Sequence, residues 1–160
     1  LVLSTAPAQG ARFTVELPRS SRGVPAPLPA PEPASTAPLR ILVIDDEPHI
    51  LHYMRATLEA WGHAVEVAGD GEAGLELAAA GTFDLILSDL RMPRLTGREF
   101  FEALKQRNPE AAGRVVFSTG DTVHGDTTAF LESQPHPFLN KPFSLAELRA
   151  LLARSVAAPA

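Results

Sequence analysis

Short runs of consecutive apolar residues alternate with longer amphipathic segments five times between residues 40 and 155. A short run of mostly apolar residues is typical of a strand that is buried on both faces of a parallel sheet. The intervening segments repeat apolar residues every three or four positions, which predicts helices. The predicted strands are 40–44 (RILVI), 64–68 (AVEVA), 84–88 (DLILS), 114–118 (RVVFS) and 137–140 (PFLN).

The helices that follow these strands have recognisable starts. Pro48 lies early in the first, Asp70 can cap the second, and Ser144 with Glu147 forms a capping box for the last. The predicted helices cover 47–60, 71–80, 96–107, 125–133 and 144–154. Five strand–helix units predict an α/β fold with a doubly wound, five-stranded parallel sheet, and we expect the flavodoxin-like strand order 2-1-3-4-5 with five helices.

Two different segments precede this region. Residues 1–17 contain two strand-like runs around a Gln9-Gly10 turn, which predicts a hairpin. Residues 18–39 contain seven prolines interleaved with Ala and Ser. Proline at this density excludes helix and sheet and favours an extended, semi-rigid linker. The predicted organisation is therefore a hairpin at 1–17, a linker at 18–39 and a domain at 40–155.

Composition removes several function classes. The 160 residues carry a net charge of −5, so no basic surface indicates binding to nucleic acid or to an anionic membrane. The absence of cysteine excludes disulfides, thiol catalysis and Cys-type zinc sites. No apolar stretch approaches the roughly 20 residues that a membrane-spanning helix needs. We expect a cytoplasmic protein region without membrane contact of its own.

Polar side chains follow four of the predicted strands at the point where each strand ends. Asp45 and Asp46 follow the first strand, Asp89 the third, Thr119 the fourth and Lys141 the fifth. Ligands bind at the carboxyl ends of the strands in an open parallel sheet, so these groups are predicted to meet at one edge. Three carboxylates, a hydroxyl and an ammonium together indicate phosphoryl chemistry with a hard cation.

The residue types also suggest roles. A carboxylate can act as a nucleophile and form an aspartyl phosphate, and Asp89 is the candidate. Mg²⁺ binds through one or two carboxylates and phosphate oxygens while keeping several waters. We expect Asp46 to coordinate Mg²⁺ directly, Asp45 to hold a metal-bound water and Asp89 to contribute an oxygen. Lys141 would place a positive charge against the phosphoryl oxygens.

Residues 40–155 resemble a response-regulator receiver domain over their whole length. The resemblance rests on five signatures in the expected order: the Asp45-Asp46 pair, Asp89, the following Met92-Pro93 and Gly97, Thr119, and Lys141-Pro142. It implies that Asp89 is the phosphoacceptor and that Thr119 is a switch hydroxyl that binds the phosphate. It also implies that Phe138 is the aromatic switch residue and that the backbone carbonyl of Arg91 is a further metal ligand. Arg94 is expected to be a surface charge near the edge of the site.

Residues 4–18 resemble the final hairpin of a histidine-kinase ATP-binding domain, through Ser4-Thr5-Ala6-Pro7 and the segment GARFTVELP (10–18). This resemblance implies a hybrid histidine kinase with an attached receiver. We expect the chain, which begins at Leu1, to be a fragment without kinase activity of its own. Because it ends at Ala160 without an output domain, direct transcriptional control is disfavoured.

The predicted function is that of a phosphorelay receiver with Mg²⁺ as its cofactor. The phosphodonor would be a histidine kinase core, acting in cis or across a dimer, and a histidine phosphotransfer protein could be the next acceptor. One alternative is a Mg²⁺-dependent phosphohydrolase with an Asp nucleophile, although its usual acid/base carboxylate is replaced by Arg91. The other is an interaction module that works without phosphorylation, against which the intact set of polar residues argues.

Overall fold

The computed structural model describes residues 2–6, 10–14, 37–120, 130 and 137–157, and the chain divides into two units, Leu1–Ala34 and Ser35–Ala160. In the first unit, β1 (Val2–Ala6) and β2 (Gly10–Thr14) pair antiparallel, which is the pairing expected of a hairpin. Most of the predicted linker, residues 18–36, lies outside the described residues. The linker and the origin of the hairpin stay predictions.

The second unit contains a five-stranded parallel sheet with the order β4-β3-β5-β6-β7. Counted within this sheet, the order is 2-1-3-4-5, so the predicted doubly wound fold is confirmed. Its strands are β3 (Arg40–Ile44), β4 (Ala64–Ala68), β5 (Leu85–Asp89), β6 (Val115–Thr119) and β7 (Phe138–Asn140).

The helices that the structure describes agree with most of the predicted segments. They are α1 (Pro48–Ala60), α2 (Gly71–Ala80), α3 (Gly97–Arg107), α4 (Pro109–Ala112) and α5 (Leu145–Ala157). The short α4 was not predicted, because four residues are too few to show a helical repeat. Of the predicted helix at 125–133, only Phe130 is described, and its backbone is helical.

The predicted helix starts are present in the structure. Pro48 is the first residue of α1, and the Asp70 side chain accepts a hydrogen bond from the backbone N–H of Ala73 at 2.9 Å. Before α5, Ser144 and Glu147 form the predicted capping box, with the Glu147 N–H donating to Ser144 Oγ at 3.2 Å and the Ser144 N–H donating to Glu147 Oε2 at 2.7 Å. These contacts satisfy backbone donors that have no partner within the helix.

Both faces of the sheet are covered by helices. Leu42 and Ile44 of β3 point into a core shared with α2 and α3, whereas Ile41 and Val43 point into a core shared with α1 and α5. The alternation follows from the two-residue repeat of a strand, and it explains why residues 41–44 of β3 are all apolar. With both faces of the sheet covered, the polar side chains of the predicted site lie at the carboxyl ends of the strands or directly after them.

No helix among the described residues is long and apolar enough to cross a membrane.

Candidate functional site

Three carboxylates converge at the carboxyl ends of two neighbouring strands. Asp45 and Asp46 follow β3, Asp89 is the last residue of β5, and one oxygen atom from each lies within 4.8 Å of the others. Asp45 is 2% exposed and Asp89 is 7% exposed, whereas Asp46 faces solvent. The site is thus a buried carboxylate pair with an exposed third carboxylate at its mouth.

Hydrogen bonds fix the orientation of Asp45. Its backbone N–H donates to the carbonyl of Ala68 on β4 at 3.2 Å, and its Oδ1 accepts from the Glu47 N–H at 3.0 Å. The other oxygen, Oδ2, accepts from Lys141 Nζ at 2.7 Å. Asp45 therefore has both carboxylate oxygens engaged, while the next residue, Asp46, is exposed to solvent with one oxygen still near the site.

Lys141 follows β7 and lies in the site although it is 96 residues from Asp45 in the sequence. Its Nζ lies 2.7 Å from Asp45 Oδ2 and 3.2 Å from Asp89 Oδ1. The backbone N–H of Lys141 donates to the carbonyl of Thr119 at 2.7 Å, and the peptide bond to Pro142 is cis. The structure therefore brings the acidic pair, Asp89 and Lys141 together at one edge of the sheet, as predicted.

Burial and the mutual interactions of these groups shift two pKa values. Burial raises the pKa of Asp89 above its usual range, and the charges of Asp45 and Asp46 act in the same direction, while Lys141 lowers it in part. Burial alone would lower the pKa of Lys141, but its hydrogen bond to Asp45 and the charge of Asp89 raise the pKa overall. Lys141 consequently stays positively charged at neutral pH.

The donor set fits a hard divalent cation. Three carboxylates face one ammonium, so the cluster retains excess negative charge that is costly where two of the carboxylates are buried. Carboxylate oxygens are the ligands that Mg²⁺ takes in proteins. Asp45, Asp46 and Asp89 could hold such an ion between them.

The remaining predicted residues occupy the expected elements, but their roles stay predictions. Thr119 is the last residue of β6, is 1% exposed and lies opposite Asn140 of β7. Phe138 of β7 is 44% exposed. The side chain of Arg91 is exposed in the loop that follows Asp89.

The sequence did not reveal a contact between Asp70 and Arg94. Arg94 is exposed, as predicted, but its guanidinium also donates a hydrogen bond to the Asp70 carboxylate. Its backbone has a φ of 68°, in the left-handed region that residues other than glycine rarely adopt. The two residues are 24 positions apart, and no local sequence signal links them.

A family model described as "Response regulator receiver domain" matches residues 41–153. Among curated proteins, Response regulator MprA of Mycolicibacterium vanbaalenii is 36% identical over 122 residues, which cover 74% of this chain and 52% of that protein. Response regulator ArlR of Staphylococcus saprophyticus is 33% identical, with coverage of 72% and 53%. The chain spans about half the length of these curated relatives.

Solved structures are similar in fold. The receiver domain of a sensor histidine kinase from Pseudomonas aeruginosa, with a magnesium ion coordinated in its active site cleft, has a TM-score of 0.68 and 28% identity, and the match covers 76% of this chain and all of that one. One receiver domain of similar fold thus binds Mg²⁺ in its active site cleft.

Proposed function

Since the chain belongs to the response regulator receiver family, we propose that it accepts a phosphoryl group on Asp89 from a phosphohistidine and changes conformation as a result. The observation that carries this proposal is the contact of Lys141 with both Asp45 and Asp89, beside the exposed Asp46. The arrangement supports the proposal because three carboxylates and one ammonium lie together at one point of the sheet edge, where a nucleophile, a positive charge and metal ligands would all be within reach of a phosphoryl group.

The transfer uses the carboxylate of Asp89 as the nucleophile. One Asp89 oxygen forms a bond to phosphorus, the bond from phosphorus to the imidazole nitrogen of the donor breaks, and that nitrogen keeps the electron pair and takes up a proton. Lys141 Nζ, 3.2 Å from Asp89 Oδ1, offsets the negative charge that the phosphoryl oxygens bring. Water can later hydrolyse the acyl phosphate, which restores Asp89 and releases phosphate.

Asp45, Asp46 and Asp89 would hold Mg²⁺, together with the backbone carbonyl of Arg91. When bound, Mg²⁺ supplies positive charge that offsets the repulsion between the carboxylates and an incoming phosphoryl group. Asp45 is already oriented by Glu47 and Lys141, so little of its conformational freedom remains to be lost on binding.

The conformational response is assigned to Thr119 and Phe138. Thr119 would donate its hydroxyl to the phosphoryl group, which draws the loop after β6 toward the site. Phe138 would then rotate from its exposed position into the space that the loop leaves. A local change in charge would thereby shift a two-state element.

Two settings are proposed for the receiver. Receiver domains of response regulators interact with histidine kinases, so a kinase core is the partner class in either case. The hybrid-kinase setting is supported by the N-terminal resemblance and by the similarity to a receiver domain of a sensor histidine kinase. There, the donor would be the kinase core in cis or across a dimer, and a histidine phosphotransfer protein could take the phosphoryl group onward. The other setting is a response regulator, as in the curated relatives.

Phosphoramidate tests this function, because its P–N bond matches that of phosphohistidine. With Mg²⁺ present, we expect one phosphoryl group per chain by intact mass, and slow release of phosphate that is limited by hydrolysis of the acyl phosphate. Rapid release of many equivalents of phosphate from simple phosphate esters would instead support the phosphohydrolase. No incorporation from phosphoramidate under any Mg²⁺ concentration would refute the receiver function.

A further inference from the structure

The loop that follows Asp89, residues 90–96, is closed at its base. The Leu90 N–H donates to the carbonyl of Ser118 on β6 at 3.0 Å, and the Gly97 N–H donates to the carbonyl of Leu90 at 3.1 Å. Leu90 and Met92 are buried in the core beneath α2 and α3. The base of the loop is therefore part of the sheet edge, and its position determines the position of the Asp89 backbone.

The tip of the same loop is attached to the N-terminus of α2. Asp70 uses one carboxylate oxygen to cap α2 at the Ala73 N–H, and the other accepts a hydrogen bond from the Arg94 guanidinium. Next to this ion pair, Leu95 packs closely on Gly71. A Cβ on Gly71 would lie only 2.5 Å from the Leu95 carbonyl oxygen. Two neighbouring contacts thus hold the tip of the loop against one turn of helix.

The backbone of Arg94 gives an independent indication that this contact matters. Its φ of 68° carries a steric cost for any residue with a Cβ, and glycine would adopt it without that cost. An arginine at this position is accommodated with its guanidinium on a carboxylate that is only 20% exposed. The Leu95 N–H donates to the Pro93 carbonyl at 2.9 Å and closes the turn around Arg94, and the ion pair adds a side-chain contact from this turn to α2.

We propose that the Asp70–Arg94 ion pair is a positioning contact that holds loop 90–96 in the conformation that binds the divalent cation. This inference rests on the proposed function, in which Asp89 and the carbonyl of Arg91 contribute oxygens to the ion. Arg91 lies between the base of the loop and its tip, so release of the tip allows the Arg91 carbonyl to move away from the site. Arg94 itself does not contact the reacting atoms.

The test measures Mg²⁺ affinity in the full chain from backbone amide chemical shifts. Asp70→Asn keeps the helix cap, because asparagine is an equally good cap, but it removes the charge that holds Arg94. Arg94→Ala removes the other partner, and the double variant removes both. Glu66→Gln is the matched control, because it breaks an exposed ion pair with Arg40 at 3.2 Å on the outer strand β4.

We expect the Kd for Mg²⁺ to rise about two- to fivefold in Asp70→Asn and in Arg94→Ala, which is the range that a partly exposed ion pair supports. The Kd of the double variant for Mg²⁺ should be no higher than the higher of the two single-variant values, because the two residues act through one contact. Glu66→Gln should bind Mg²⁺ like the unmutated chain.

Arg94→Gly separates positioning from a general effect on stability. Glycine relieves the left-handed backbone, so the melting temperature should be no lower than that of the unmutated chain, while the Kd for Mg²⁺ still rises. If Arg94 only stabilised the fold, a variant whose melting temperature is not lowered would bind Mg²⁺ with an unchanged Kd.

Two outcomes would overturn the inference, and they are distinguishable. If the unmutated chain binds Mg²⁺ and all variants bind it with the same Kd, the positioning role is wrong and the proposed function stands. If the unmutated chain shows no Mg²⁺-dependent shifts at the site, the proposed function fails and the positioning role fails with it.

Discussion

Lys141 illustrates how one residue holds the site together. Its ammonium lies 2.7 Å from Asp45 Oδ2 and 3.2 Å from Asp89 Oδ1, and both carboxylates are buried. Without it, these carboxylates and the nearby Asp46 would repel each other across a few ångströms of poorly solvated space. The charge of Lys141, which in the proposed function would face the phosphoryl oxygens, therefore also stabilises the fold.

Replacement of Lys141 by methionine should lower the free energy of unfolding by about 2 kcal/mol in the absence of divalent cations, since it leaves buried carboxylates without their partner. Chemical denaturation with EDTA present measures this loss, and Mg²⁺ should restore part of it. Lys105→Met is the control, because Lys105 is an exposed residue of α3 that contacts the Phe101 ring and no carboxylate of the site. Equal losses in the two variants would contradict the assignment.

The raised pKa of Asp89 predicts how the stability of the fold changes with pH. Because burial raises its pKa in the folded chain, the folded state binds this proton more tightly than the unfolded state, and the ionised carboxylate opposes folding at neutral pH. Asp89→Asn should therefore be more stable than the unmutated chain at pH 7 without Mg²⁺. The difference should shrink as the pH falls through the raised pKa toward about 3.9, the ordinary value for Asp.

Denaturation curves of both proteins between pH 7 and the acid range measure this difference, and added Mg²⁺ should reverse it by stabilising only the unmutated chain. A gain in stability that does not change with pH would show that Asp89 acts through its shape and not through its charge.

At the scale of elements, the start of α3 lies closer to the backbone of Asp89 than any residue with a side chain would allow. A Cβ on Gly97, the first residue of α3, would lie 2.2 Å from the Asp89 carbonyl oxygen and 2.9 Å from Leu90 Cα. Both are backbone atoms, so they cannot move aside without displacing the end of β5. The start of this helix thus determines where Asp89 lies.

Gly97→Ala should destabilise the domain by about 1 to 3 kcal/mol, the cost of overpacking, and should slow phosphorylation of Asp89. Thermal unfolding and the rate of incorporation from an acyl phosphate measure the two effects. Gly74→Ala is the matched control: there the three atoms nearest to the Cβ all belong to the Ile44 side chain, with Cδ1 at 2.5 Å, so the substitution crowds the core without pressing on the backbone of Asp89. An equal slowing of phosphorylation in both variants would contradict a specific role for Gly97.

The elements also show what the sequence can and cannot predict. The central strands β3, β5 and β6 were predictable because they are short, mostly apolar runs that are almost wholly buried. The parallel sheet brings Lys141 to Asp45 although 96 residues separate them. By contrast, the sequence does not predict the contact of Arg94 with Asp70, because it depends on the approach of two loops and on a left-handed backbone at a residue that does not favour one. The α3 capping box of Thr96 and Glu99 was recognisable in principle, but the prediction began this helix at residue 96.

For the whole molecule, the predicted division into hairpin, linker and receiver has a direct consequence. Residues 18–36 of the proline-rich segment should be cut readily by a protease of broad specificity, whereas the five-stranded domain, whose core includes Leu39, should resist it, because its backbone is hydrogen-bonded and its core is buried. Limited proteolysis followed by mass spectrometry should give a stable product close to residues 40–155. Resistance of the 18–36 segment equal to that of the domain would contradict the linker.

The central claim is that Asp89 accepts a phosphoryl group with the help of a divalent cation, and intact mass measurement after incubation with acetyl phosphate tests it most directly. The unmutated chain should gain one phosphoryl group with Mg²⁺ and none with EDTA. Asp89→Asn should gain none, whereas Asp84→Asn, which changes an exposed aspartate bonded to the Arg40 N–H at the far end of the sheet, should behave like the unmutated chain. An adduct that survives Asp89→Asn, or no adduct on the unmutated chain, would contradict the account.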